Sequence, residues 1–355
     1  MWYWLAEPPL YLCFAIITGW LLLVRFVPSI AIPRKVLLLS AFGIGLLSFF
    51  PVLRIVMFFA EDIGFGLTLQ NVFMHFTEGK AYLWTLLFVA ILILVIRFGE
   101  PEKNDKAWIS GVILVTTLMA AQGWGSHVAS LYKWIGFASH TLHFYAVSVW
   151  AGTLIVAGWF MPSSRWASFL TWFHPMAMLA MSVILASGFM LTVSVAPEYV
   201  QSWLLPYGQA LLVKHLLIVP LLFFAFFNGW WMKRKIAKDR ILEPKGWAKT
   251  EGALVLLIYS VTGFMNQQAA PHDVSETLRE NPVSPVFRFL HPGNFEPDHM
   301  LQFTIQPMSW LFLAFALLSL LLMVQSFRRH SRIAAFLSGV LFVIAAFAAA
   351  LISVS

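Results

Sequence analysis

Ten histidines stand out in a chain of 355 residues of which only 11% are charged. His140 and His143 are three positions apart, so on a helix they project from the same face. Imidazole nitrogen is a ligand for copper, zinc, iron and nickel, and a methionine sulfur adds a preference for Cu(I). The pair therefore predicts a transition-metal site inside a helix bundle. The alternative is that each ring simply hydrogen-bonds to a neighbouring helix.

Three further side chains are candidates to complete this site. His127 follows two glycines that allow a sharp turn of the backbone, and only a short connection separates it from His140. We predict that His127, His140 and His143 supply ligands, with His215 or Met119 completing the set. For His127 alone, a solvated position at the membrane interface is the alternative.

A second group of soft ligands lies farther along the chain. His174, Met178 and Met181 follow the spacing i, i+4, i+7, which places them in one stripe on a helix. Such a stripe could guide a dehydrated soft cation out of the protein, and we predict it as an exit path. Methionines at helical spacing also serve as ordinary packing, which is the competing interpretation.

The composition indicates where these groups reside. Apolar residues make up 60% of the chain and the mean hydropathy is +0.80, whereas soluble domains carry about 25% charged residues. Long apolar runs cross a bilayer as helices. The sequence therefore predicts an all-α polytopic integral membrane protein with about ten transmembrane helices in a bundle. The predicted spans are 9–30, 36–59, 80–98, 108–124, 136–161, 171–196, 208–232, 250–270, 307–327 and 333–354.

The basic residues predict the orientation. Of the 23 Lys and Arg residues, 17 fall in or next to the odd-numbered connections and 6 on the other side. Positive charge marks cytoplasmic loops, so both termini are predicted to face outward. The net charge of +7 is explained by these loops, and no nucleic-acid partner is expected. Most histidines then lie on the outward side, which suits a site loaded from outside.

One long connection divides the predicted spans. Residues 271–306 form an outward loop rich in His, Pro and acidic residues. We therefore predict a core of eight helices over 1–270, this loop, and a C-terminal pair of helices over 307–355.

Several classes of protein are disfavoured by missing motifs. The sequence contains no Walker A loop and no HExxH, so we expect neither nucleotide hydrolysis nor a zinc protease, and we do not expect an enzyme. The single cysteine, Cys13, excludes an internal disulfide framework.

The stretch from the fourth to the eighth predicted span resembles the copper resistance protein D (CopD) family, including the membrane half of its CopC–CopD fusions. Three pieces carry the resemblance. The first is Gly125-Ser126-His127. The second places His143 seven residues before Trp150, in HFYAVSVWAGTL. The third is SGFMLTVSV followed by YGQALLVKHLLIVPLLFFAFFNGW, which contains Lys214 and Asn228.

This resemblance implies a copper-handling protein of the bacterial cytoplasmic membrane that takes copper, as Cu(I) or Cu(II), inward. By the same resemblance, His127 and His143 are candidate copper ligands. No cupredoxin-like domain precedes the first span, so a separate extracytoplasmic copper-binding protein is an expected partner, alongside membrane lipid and the copper ion itself.

Two other functions remain open from the sequence. His143 and His215 could be axial haem ligands of a b-type cytochrome, which an absorption spectrum would reveal. A copper-delivery or assembly factor would bind the ion without net transport, and only an uptake assay separates it from a transporter.

Overall fold

The computed structural model describes residues 2–27, 30–231, 244–293, 295, 300–304 and 306–355. Helices dominate this part of the chain, and its only β pairing is an isolated bridge between Phe303 and Val354. The basic cluster between Lys233 and Arg240, and His299 in the outward loop, lie outside the described residues. An all-α membrane fold is confirmed.

The chain divides into two compact units, Met1–Ser194 and Val195–Ser355. The helices assigned to the first are α1 (Glu7–Phe26), α2 (Arg34–Leu47), α3 (Phe49–Ile63), α4 (Phe65–His75), α5 (Thr77–Phe98), α6 (Asp105–Trp124), α7 (His127–Phe160) and α8 (Trp166–Val195), which ends at the boundary. The second contains α9 (Pro206–Phe226), a π-helical turn (Phe227–Trp231), α10 (Pro244–Asn266), α11 (Val274–Glu280), α12 (Pro285–Leu290), α13 (Pro307–Arg328) and α14 (Arg332–Ile352). The division predicted from the sequence, at 270 and 306, is a different one and stays a prediction.

Nine helical segments within the described residues are long and apolar enough to cross a membrane. They coincide with nine of the ten predicted spans. The tenth, predicted at 250–270, lies on α10, which is not among them. The physical reason is its polar first half, where Lys245, Lys249 and Glu251 precede the apolar run.

Close backbone contact holds α1 against α7 in the first unit. A Cβ atom built on Gly152 would lie 2.1 Å from the carbonyl oxygen of Ala15, and one on Gly19 would lie 2.2 Å from that of Gly152. Only glycine fits at this crossing, as is common where membrane helices pack through small residues. The crossing fixes α7, and with it the two histidines near the middle of that helix.

The path of α7 is broken near its start. Tyr132 and Lys133 leave helical geometry, and Lys133 has a φ of +45°, a region that non-glycine residues rarely adopt. The first turn of α7 therefore folds back, so that a Cβ on Gly136 would meet the carbonyl oxygen of Val128 at 2.2 Å. The apolar run predicted from 136 corresponds to the helix after this break.

The number of crossings decides on which side the outward loop lies. Five helices separate Lys103 from Glu280 if α10 crosses the membrane, and four if it does not. We predict opposite sides. Single cysteines at these two exposed positions, introduced after Cys13→Ala, should react differently with an impermeant thiol reagent: Glu280→Cys from outside, Lys103→Cys only after permeabilisation. Labelling of both positions from the same side would contradict ten crossings.

Candidate metal site

His143 is held by the neighbouring helix α8 through one ring nitrogen. Its Nδ1 lies 3.1 Å from the backbone carbonyl oxygen of Ile184 and 3.1 Å from the Ser187 hydroxyl. The ring also lies against Gly188, where an added Cβ would be 3.2 Å from Cε1. Two pieces of sequence that resembled the same family, around His143 and at Ser187-Gly188, are therefore in direct contact.

This contact determines the protonation pattern of the neutral imidazole. A carbonyl oxygen only accepts hydrogen bonds, and the Ser187 hydroxyl already donates to the carbonyl oxygen of Val183 at 2.5 Å. Nδ1 must therefore carry the proton and donate it, which assigns the lone pair to Nε2. Metal-binding histidines commonly anchor one nitrogen in this way while the other coordinates the ion. His143 is thus oriented as a ligand would be.

His140 lies one turn before His143 on α7 and is half-buried. Its ring is 6.5 Å from that of Phe144, centroid to centroid. Phe144 packs against the apolar core of α1, α2, α5 and α6, and Met119 is fully buried in that core. Met119 therefore belongs to the same packing region as the histidine pair, in a setting where methionine also acts as a space-filling side chain.

His127 is the first residue of α7 and is exposed. Ser126 caps this helix end, its hydroxyl accepting a hydrogen bond from the backbone N–H of Ala129. Nearby, at the ends of α4 and α6 and the starts of α5 and α7, lies a cavity of about 320 Å³. Its lining contains an imidazole, a carboxylate and three hydroxyls: His75, Phe76, Thr77, Glu78, Trp124, Gly125, Ser126 and Ser130.

This cavity was not predicted from the sequence. His75 was visible as an outward histidine, but its juxtaposition with Glu78 depends on the tight turn between α4 and α5. The start of α5 approaches the end of α4 closely, since a Cβ on Gly79 would meet the carbonyl oxygen of Val72 at 2.1 Å. Tertiary packing of this kind leaves no local sequence signal.

His215 belongs to the second unit, on α9, and pairs with a tyrosine. Its Nδ1 lies 2.8 Å from the Tyr199 hydroxyl. Burial raises the pKa of Tyr199 to about 12, so this phenol is protonated at neutral pH. When the phenol donates to Nδ1, the single N–H proton of the neutral ring is on Nε2, so neither nitrogen offers a lone pair to a metal. His215 could act as a ligand only with the opposite direction of this hydrogen bond.

The predicted exit stripe lies on α8. His174 and Met181 are half-buried, and Met178 is 61% exposed. Pro175 lies inside the helix directly after His174. The three side chains share one helical face, as predicted, and their role as an exit path stays a prediction.

No group of three or more His, Cys, Asp or Glu side chains that could hold a metal ion occurs within the described residues. The histidine pair His140 and His143 is on one helix face, with His143 anchored, whereas His127 begins the same helix beyond the break at Lys133. A binding site assembled from these residues must draw on methionine, water or backbone groups as further ligands.

Comparison with known proteins adds one match. A family model described as copper resistance protein D matches residues 167–265, from the start of α8 to the end of α10. No curated protein and no solved structure gives a significant match. The resemblance to this family is confirmed for this segment, which covers less than a third of the chain. The segment includes Ile184 and Ser187, which hold His143, but not the histidines of α7.

The geometry of His143 predicts a spectroscopic signature. Because Ile184 offers only a carbonyl oxygen, neutral His143 should exist as the Nδ1–H tautomer. Nitrogen NMR of histidine-labelled protein, with the His143 signal assigned by its loss in His143→Gln, measures which nitrogen carries the proton. A dominant Nε2–H tautomer at neutral pH in the metal-free protein would contradict the described contact.

Proposed function

We propose that this protein transports copper inward across the bacterial cytoplasmic membrane, using outward-facing histidine and methionine ligands within its helices. The observation that carries the proposal is the orientation of His143. Its Nδ1 is anchored on the Ile184 carbonyl, so the nitrogen lone pair required for a copper ion is on Nε2. The contact joins a histidine helix to the segment that matches a copper-resistance family.

The proposed ligands are His127, His140 and His143, with Met119 or His215 as further donors. Imidazole and thioether are the ligands that copper prefers, and neither carries a charge when it binds. That matters in a membrane, where a fixed charge is costly. A mixed set of neutral ligands can also release its ion, which a transporter must do.

Copper would reach these ligands from the outer surface. The cavity lined by His75 and Glu78 lies next to Ser126, directly before His127, and offers a first polar environment to an arriving ion. In the proposed orientation both termini face outward, and a separate extracytoplasmic copper-binding protein is the proposed donor. The stripe of His174, Met178 and Met181 is the proposed route through the inner half of the membrane.

The test of this proposal is copper uptake into liposomes containing the purified protein. His143→Ala should lower uptake by more than about tenfold, because loss of an oriented ligand weakens metal binding at least as much as loss of its supporting group. His272→Ala, in the outward region of the second unit, is the matched control and should leave uptake unchanged. Wild-type copper binding should weaken as the pH falls toward about 6.5, where imidazole becomes protonated.

Uptake by the His143→Ala variant at the wild-type rate would place the copper path elsewhere. Copper that binds to the wild-type protein but never enters the vesicles would point instead to a delivery factor.

The exit stripe has its own test. Replacing Met178 and Met181 by Leu keeps volume and apolarity, so folding should tolerate the change. If the thioethers guide copper through the inner half, uptake should fall while copper binding at the outward histidines is retained. Matched replacement of Met190, on the same helix but outside the stripe, serves as the control. Unchanged uptake in the double variant would identify these methionines as packing residues.

A further inference from the structure

A carboxylate is buried in the second unit, on a different helix from His215. Glu251, near the start of α10, is 1% exposed. Its Oε2 accepts a hydrogen bond of 2.6 Å from Nδ2 of Asn228. Within the described residues it forms no ion pair. A buried carboxylate without a cation is expensive when ionised, and a single hydrogen bond offsets only part of that cost.

The orientation of the Asn228 amide follows from a second contact. Its Nδ2 also donates, at 3.4 Å, to the backbone carbonyl oxygen of Trp247, which can only accept. The nitrogen end is therefore the one that donates to both acceptors. The amide oxygen, Oδ1, is buried and has no hydrogen-bond partner in the described part of the chain.

If Glu251 were ionised, two free-energy costs would remain, one from the carboxylate and one from the Asn228 amide oxygen. The carboxylate would be a buried charge beside an amide oxygen to which no described group donates a hydrogen bond. A proton on the carboxyl group removes the charge, and it turns a second acceptor into a donor for Oδ1. An amide and a carboxylic acid can form two complementary hydrogen bonds, whereas an amide and a carboxylate can form only one.

The neighbourhood of this pair is buried and aromatic. Aromatic rings pack around it: Phe227 stacks on Phe327 at 4.2 Å, Trp247 on Phe327 at 4.7 Å, and Phe224 meets Phe327 at 4.8 Å. Asn228 itself lies in a π-helical turn, an irregularity that occurs often at functional sites. The turn is what carries the amide toward α10.

Charged and titratable groups on the packed helices are few. Arg332 of α14 has its guanidinium against Gly246, which lies five residues before Glu251 on α10. On α9, Lys214 and His215 precede Asn228 by about 20 Å of helix. The full set on these elements and on the end of α13 is Tyr207, Lys214, His215, Lys245, Lys249, Tyr259, Arg328 and Arg332.

We propose that Glu251, held by Asn228, is a proton-binding site whose proton is exchanged as copper is transported. The exchange rests on the proposed function, but the proton site does not. Transport of a cation through a medium of low dielectric benefits from a counter-moving or co-moving proton, and an uncharged acid in a dry aromatic pocket can hold one. The chemistry is a reversible O–H ionisation, with the proton passing to or from water.

Infrared spectroscopy tests the proton site without any transport assay. At neutral pH the protein should show the C=O band of a buried, protonated carboxylic acid, shifted by carbon-13 labelling of glutamate. Glu251→Gln, which keeps the volume and the hydrogen bond but cannot ionise, should abolish this band. Glu276→Gln, at an exposed position of α11, is the control and should retain it. A wild-type protein without the band, or with a band that survives Glu251→Gln, would overturn the proposal.

Uptake under an imposed pH gradient tests the exchange. Wild-type uptake should respond to the gradient, and Glu251→Gln should lose that response while still binding copper at the outward histidines. An equal response in both proteins would overturn the exchange but leave copper transport standing. Absence of uptake in the wild-type protein would contradict the proposed function instead, and the infrared band alone would then decide the proton site.

Discussion

The absence of hydrogen-bonding solvent in the membrane interior is the constraint on which the rest of this structure depends. A polar side chain buried in the helices is therefore costly unless it finds a partner within the protein. His143 meets the carbonyl of Ile184, His215 meets Tyr199, and Glu251 meets Asn228. Each pairing leaves one atom with defined chemistry: a ring nitrogen with a lone pair, or a carboxyl group with room for a proton.

These pairings are possible only because the helices are held at fixed distances. The glycine crossing of α1 and α7 allows no extra atom, which fixes α7 where it meets α1. On the facing helix, Gly188 leaves space for the imidazole, where a larger side chain would displace the ring. Small residues thus determine where the polar groups meet, although they take no part in binding themselves.

The sequence predicted the membrane helices well, because long apolar runs can be read locally. It was less successful where a helix is polar at one end. Glu251 stands at the start of a predicted span, 250–270, where a carboxylate is a signal for a functional group. Its partner Asn228 could not be predicted from the sequence, because the alignment of Asn228 with Glu251 depends on a π-helical turn.

The candidate metal site shows the same limit. The spacing of His140 and His143 predicted a shared helix face, since that follows from helix geometry alone. The anchor on Ile184 could not be predicted, because it depends on how α7 and α8 pack. The break at Lys133, which separates His127 from the other two histidines, could not be predicted either. It requires a positive φ, and lysine is not a residue type that favours this conformation.

Copper coordination in the loaded protein is the most direct measure of the central claim, that outward histidines of α7 bind the transported ion. X-ray absorption at the copper edge reports imidazole ligands by their characteristic scattering. We expect imidazole coordination in the wild-type protein and loss of at least one imidazole in His143→Ala, with the spectrum of His272→Ala unchanged. An identical copper environment in the wild-type protein and in His143→Ala would contradict it.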